Sequence, residues 1–283
     1  MTGAREGATQ QAAAAAAASQ VEIRTLHAVD ELRGVIELFD QVWSTSGTPP
    51  IGLEHLIALA HAGSYVGGAY DGDELLGASV AFLATPIGEV LHSDVTGVVE
   101  RARDRRLGFA IKLHQRAWAL DNGLSRITWT FDPLIRRNAY FNLVKLGASV
   151  SAYLVDFYGD MPDPINAGQG SDRLLASWQL TDPVVDAACG GRPRTPPRAI
   201  GAPLLIAGAD QEPVIAGAEV VDDLFVRLAV PADIEGLRQT DPDLARSWRQ
   251  VVRDSLGREL MTGGRVAGFD PESGYLVERG ASA

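Results

Sequence analysis

The chain has 283 residues, 46% of them hydrophobic and 22% charged, with a mean hydropathy of +0.01, the profile of a globular protein with one large or two modest domains. Thirty-six acidic against twenty-five basic residues, a formal net charge of -11, argue against nucleic acid as the main partner, because a phosphate backbone demands an extended basic face. One cysteine, Cys189, excludes a disulfide framework and a cysteine-based zinc site, and His27, His55, His61, His92 and His114 lack ligand spacing, so no metal is expected and a reducing, cytoplasmic compartment fits best.

Residues 1–20 carry the run "AAAAAAAS", read as a disordered, Ala-rich tail: alanine makes a poor apolar segment for a signal peptide, and Arg5 in its flank is opposed by Glu6. No stretch approaches the roughly 20 apolar residues of a membrane span, and no membrane partner is expected. "VEIRTL" (21–26) alternates as a strand, and Leu32, Val35, Ile36, Phe39, Val42 and Trp43 then repeat with helical period. "SYVGGAY" and "LLGASVAFLAT" predict a hairpin around "DGDE", followed by a strand over "GEVLHSDVTGVV".

Four arginines, Arg101, Arg103, Arg105 and Arg106, then fall within six positions, and a helix is predicted from Leu107 to Asn122 with Gly123 as its stop. A strand that ends, a short polar loop and the free amides of a helix start together make an anion site suited to a diphosphate; the alternative is a solvated charged turn. "RITWTFD" alternates as a strand, Arg136–Leu146 reads as a helix, and strands are predicted around "ASVSAYLVDFYG" and "LLASWQL". Residues 181–220, with six prolines and five glycines, read as a connection, and the remainder as one strand, a helix near "DPDLARSWRQVVRDSL" and two short strands. The expected organisation is a tail (1–20), a first domain (21–180), a connection (181–220) and a smaller C-terminal α/β region (221–283).

From strand to helix, "GVVERARDRRLGFAIK" resembles motif A of the GNAT superfamily of acyl-CoA-dependent N-acyltransferases: Arg or Gln, two residues, Gly, one residue, then Gly or Ala. Arg103 and Gly108 match, while Arg106 stands at the usual glycine. "RNAYFNLVKLGA" (137–148) is similar to the superfamily's later helix, with Lys145, Leu146 and Gly147 matching and Leu143 at the usual tyrosine. The longer "ITWTFDPLIRRNAYFNLVKLGA" resembles an uncharacterised subgroup, a likeness covering about residues 21–160. The resemblance implies an α+β fold, a twisted, mixed, mostly antiparallel sheet with helices on both faces and two central strands splayed apart for pantetheine. It implies an acyl-CoA, most often acetyl-CoA, as cosubstrate, held by Val98, Val99, Arg103, Asp104, Arg105, Arg106, Leu107, Gly108, Phe109 and Asn138. Gly108 lets the backbone approach a phosphate closely.

The expected activity is transfer of a short acyl group to the amine of a small molecule or amino acid derivative by direct attack. The alternative is a non-catalytic acyl-CoA-binding sensor or accessory protein, and the sequence leaves a homodimer open. Direct attack needs a neutral amine, an oxyanion site and usually an acid for the departing thiolate. Alternation puts His92, Asp94 and Thr96 on one strand face, so His92 beside Asp94 is the candidate base; equally, the two side chains satisfy each other on an exposed face. By analogy with the family, backbone amides near Val98 and Val99 supply oxyanion and pantetheine contacts. Tyr140, one turn before Leu143, is the candidate acid, against a core or rim role or release of thiolate to solvent. Asp132 is expected to cap the next helix rather than meet an amine, and Trp129 and Phe131 to pack in the core.

Overall fold

The computed structural model describes residues 2–43, 50–159, 170–193, 201–216 and 223–280. The chain forms two compact units, residues 1–129 with 179–190 and residues 130–178 with 191–283. This division follows neither the expected break at 180 nor that at 220. The chain crosses between units inside two strands, after Trp129 and after Trp178.

In the first unit, strands β1 (Glu22–Thr25), β2 (Tyr65–Asp71), β3 (Glu74–Ala84) and β4 (Val90–Val98) form an antiparallel meander in the order β1-β2-β3-β4. β5 (Arg126–Phe131) then lies parallel to β4, reached through helix α4 (Leu107–Asp121). Helices α2 (Val29–Trp43) and α4 cover opposite faces, and two glycines show it. A Cβ on Gly77 would come within 2.9 Å of Ile111 on α4, while one on Gly97 would come within 3.0 Å of Trp43 on α2. Gly77 pairs with Val98, the neighbour of Gly97, so the two glycines point to opposite faces. Leu32, Val35, Phe39, Val66, Val80, Leu107 and Ile111 fill the core around this sheet.

The N-terminal segment corrects the expectation of a disordered tail. Thr2–Ala18 is a helix, α1, packed on α4, with Ala8, Ala12 and Ser19 buried. The stripe Ala4, Ala8, Ala12, Ala16 is small residues at helical spacing, which permits close approach to a neighbour even though each alanine is only weakly apolar. Helix α3 (Leu53–His61), which no sequence signal above indicates, completes the first half, and α6 (Pro183–Cys189), capped by the Asp182 side chain on the Val184 amide, replaces part of the expected connection.

The second unit holds α5 (Arg136–Ala139), continued by a π-helical turn over Tyr140–Lys145, and the antiparallel pair β6 (Ser149–Leu154) and β7 (Arg173–Gln179). A five-stranded sheet follows, ordered β11-β12-β10-β8-β9. Its strands are β8 (Ala202–Ala207), β9 (Pro213–Ile215), β10 (Phe225–Leu228), β11 (Arg265–Asp270) and β12 (Gly274–Glu278), with α7 (Ile234–Thr240) and α8 (Pro242–Val252) between β10 and β11. β8 and β9 also lie in what composition marked as a connection: Gly201 directly precedes β8 and Pro213 is the first residue of β9. Among the described residues no helix is long and apolar enough to cross a membrane, and no cluster of three His, Cys, Asp or Glu could hold a metal ion.

Candidate functional site

β4 and β5 pair over three positions only, Val90 with Arg126, Leu91 with Ile127 and His92 with Thr128, after which β4 continues alone to Val98. The edge of β4 from Ser93 onward therefore lacks β5, and its backbone groups on that side are open to a ligand. The Val99 amide donates to the Leu76 carbonyl (3.0 Å), which corrects its assignment as a ligand contact. Because an antiparallel ladder alternates, the amide of Val98 turns away from β3, toward the side that β5 has left.

His92 leads this edge. Its Nδ1 is 2.9 Å from Thr128 Oγ1, and its ring lies 5.3 Å from that of Phe82. The partner is thus a hydroxyl from β5, and among the described residues His92 and Asp94 share no hydrogen bond, so the reading in which they satisfy each other does not hold. Burial lowers the His92 imidazole below its ordinary pKa, Asp94 works against that shift and Lys112 adds to it. Asp94 is exposed, yet the protein around it excludes enough water to raise its carboxyl, with His92 opposing.

Asp94 also breaks the strand's alternation. Val80 faces Val95 and Ala81 faces Ser93, leaving Asp94 unpaired in a β-bulge. The extra residue shifts every later side chain to the other face, so Thr96 does not share a face with His92. Instead Thr96 Oγ1 lies 2.8 Å from Ser79 Oγ, on the α4 side, correcting the expected His92–Asp94–Thr96 row.

On that side a buried polar chain runs through the sheet, and sequence reading missed it. Lys112 Nζ donates to Ser93 Oγ (2.7 Å) and Gln115 Oε1 (3.1 Å), and Gln115 Nε2 donates to Ser79 Oγ (3.3 Å). The ammonium sits 4.2 Å from the centroid of the buried Trp129 ring. With no carboxylate paired to it among the described residues, burial lowers the Lys112 pKa to about 7. The legible signal is a lysine and a glutamine three residues apart in a helix whose buried positions also include Leu107, Ile111 and Leu113.

Past β4, Glu100–Arg105 is a short 3-10 helix, and Arg106 takes the left-handed conformation, φ 61° and ψ 24°, that favours glycine. The turn expected of a glycine therefore forms with arginine in its place. Helix α4 starts at Leu107, and its first intrahelical acceptor, the Arg106 carbonyl, receives the amides of Phe109 (3.0 Å) and Ala110 (3.2 Å). The amides of Leu107 and Gly108 precede that ladder and are free for a ligand. A Cβ on Gly108 would meet nothing within 4 Å, so open space lies before it.

The four arginines do not act alike. Arg101 pairs with Glu74, and Arg105 is committed to backbone carbonyls and Asp71. Arg103 has only a 3.9 Å contact with Glu100, and Arg106 is exposed with no ion pair among the described residues. Asp104 is exposed and Phe109 half-buried. His92, Asp94, Val98, Val99 and residues 103–109 thus lie in the first unit, whereas Asn138 and Tyr140, both half-buried, lie in the second. His114 accepts from or donates to the buried Tyr65 hydroxyl at 2.9 Å, a core contact.

In the second unit Asp132 is buried. Its Oδ1 accepts from the Leu134 amide (2.9 Å) and Arg249 Nη1 (2.9 Å), its Oδ2 from Arg249 Nη2 (2.7 Å) and Arg238 Nη2. The expected cap does not form, since α5 begins at Arg136 with Ile135 as its N-cap and no side-chain bond there; Asp132 closes the preceding turn, and its larger work is to neutralise two arginines over 100 residues away, which outweigh desolvation to hold its pKa at about 2.

The first unit is thus an α+β arrangement in which a strand parts from its parallel neighbour just before an arginine-rich turn and a helix start. In fold the chain is similar to GNAT-family acetyltransferases. An acetyltransferase of that family from Streptococcus pneumoniae is 13% identical with a TM-score of 0.46, covering 56% of this chain and 98% of its own. An N-acetyltransferase from Staphylococcus aureus Mu50 is 13% identical with a TM-score of 0.47, covering 57% of this chain and 99% of its own. No family model and no curated protein matches this chain.

Proposed function

We propose that the protein is an acyl-CoA-dependent N-acyltransferase that moves an acetyl or other short acyl group to the amine of a small molecule or amino acid derivative. The observation that carries this is the end of β4–β5 pairing at His92, six residues before β4 itself ends beside the turn and helix start. The edge offers the Val98 amide to pantetheine or to the thioester oxygen, while the Leu107 and Gly108 amides, with Arg103 and Arg106, suit the diphosphate.

His92 is the base in this reading. This role requires the tautomer in which Nδ1–H donates to Thr128 Oγ1, 2.9 Å away, so that Nε2 carries the lone pair; the lowered pKa keeps the ring neutral where the acceptor amine, of pKa about 10, must lose a proton directly or through water. The neutral amine attacks the thioester carbon, the C–N bond forms, the nitrogen of the tetrahedral intermediate gives up its second proton to solvent, and the C–S bond breaks to give the amide and CoA thiolate. Tyr140 and solvent are the two candidates for protonating that thiolate.

Calorimetric titration with acetyl-CoA, with dephospho-CoA and pantetheine as controls, tests the binding, and release of free thiol with a panel of amines tests the turnover. Binding that vanishes with pantetheine supports the diphosphate assignment; folded protein that binds none of them overturns it. The exposed Arg106 at the usual glycine and Leu143 at the usual tyrosine favour a second reading, a non-catalytic acyl-CoA sensor, which predicts binding without thiol release.

A further inference from the structure

Arg105 stands in the arginine-rich turn but its guanidinium is spent elsewhere. Nε and Nη2 donate to the Ser19 carbonyl (3.2 and 3.0 Å), Nη2 also to the Gln20 carbonyl (2.8 Å), and Nη1 to Asp71 Oδ2 (2.8 Å). Ser19 and Gln20 are the exit of α1, where Gln20 has φ 53° and the Val21 amide folds back to the Ala16 carbonyl (3.1 Å). A cation on the last carbonyls of a helix is favoured by their partial negative charge, and a planar fork can hold two carbonyls and a carboxylate at once.

The middle of α1 is fixed to α4 by a second arginine. Arg116 is buried and donates through Nη1 to Gln11 Oε1 (2.6 Å), through Nε and Nη2 to the Leu180 carbonyl (2.9 and 2.7 Å), and through Nη2 to Asp186 Oδ1 (3.3 Å). Gln11 Nε2 in turn donates to Asp186 Oδ1 (3.1 Å). So α1 is bonded once to the turn before α4 and once to α4 itself, and Arg105 is the residue directly before the left-handed Arg106 on which the helix start depends.

We propose that α1 is a brace for the cofactor loop, and that Arg105 is the positioning residue coupling the two; this rests on the acyl-CoA reading above. Arg105 does not touch the cosubstrate. It holds the turn so that the Leu107 and Gly108 amides face one point, and it makes the loop and α1 order together. Coupling of this kind is reciprocal: a ligand that orders the loop also orders α1.

Amide hydrogen exchange on the full chain, with and without acetyl-CoA, reads this without any substitution. Expected is slower exchange on binding at residues 99–109 and also in Thr2–Ala18. Slowing at 99–109 alone overturns the brace while leaving the acyl-CoA reading intact; no slowing anywhere, with no calorimetric binding, removes that reading and the brace with it. Arg105→Ala is expected to weaken acetyl-CoA about tenfold and to abolish the protection of α1 while that of the loop persists. Arg105→Lys, which keeps the charge without the fork, restores part of the affinity and carries the same test if the alanine variant fails to fold. Unchanged affinity in a folded variant overturns the proposal.

Discussion

Two buried clusters, one in each unit, treat charge in opposite ways. In the second, two buried acids are closed by arginine: Asp132 by Arg238 and Arg249, and Asp172 by Arg253 together with the Tyr153 hydroxyl. In the first, Lys112 is buried on hydroxyl, amide and ring partners, and His92 bonds a threonine. A closed pair has its energy invested in structure, whereas a group held by neutral partners keeps a proton to exchange. His92, the base of the proposed function, is a group of the second kind, whereas the Asp132 and Asp172 clusters are architectural.

The largest effect expected is on the architectural side. Asp132→Ala strands two buried guanidinium groups and should cost about 3–5 kcal/mol in denaturant unfolding; a loss below ~1 kcal/mol would break the contrast. The same pair sets an acid limit. With the folded pKa at about 2, Asp132 adds stability above its ordinary carboxylate pKa, and that contribution disappears as pH falls from about 4 toward 2.

Next comes His92→Ala, for which turnover should fall about a hundredfold with acetyl-CoA affinity little changed. Equal loss of both would make His92 a binding residue instead. Smaller, and sharper as a diagnostic, is Asp94→Asn: Asp94 holds the His92 pKa up, so its neutralisation should move the acid limb of kcat/KM to lower pH. A limb that stays put, or moves up, would disconnect the two side chains.

The smallest change is expected at Lys112. Folded it titrates at about 7 and unfolded near ~10.4, so between those values the unfolded chain holds the extra proton and stability rises with pH. Lys112→Met should be nearly neutral at pH 9 in thermal melts and should remove that rise, because a matched apolar side chain loses no paired charge. A melting temperature already flat from pH 7 to 10 in the unsubstituted protein would show that Lys112 has a partner that fixes its charge. Tyr140→Phe separates the two fates of the thiolate: unchanged kcat assigns its proton to solvent.

Much of this frame was legible. The β2–β3 hairpin, β4, the helix from Leu107 and the strand ending at Phe131 follow from alternation and helical period, and the resemblance around Arg103–Gly108 pointed to the same turn. What was hidden was of two kinds. α1 and α3 have weak local signals, and α1 owes its place to alanines that fit α4 and to Arg105 and Arg116. The Lys112–Gln115–Ser79–Thr96 chain joins residues from three elements, and no window along the sequence spans it.

The sequence by itself determined the hairpin, the bounds of α4 to within a residue, and that an arginine-rich turn precedes a helix start, because periodicity and stop signals are local properties of the chain. Only the tertiary structure decided that the Asp94 bulge carries Thr96 to the α4 face, that the Val99 amide belongs to Leu76, that Arg105 holds α1 and that Asp132 is sealed by two arginines. Each of these is a choice of partner among groups distant along the chain, set by strand register and by the cost of leaving a buried polar group alone.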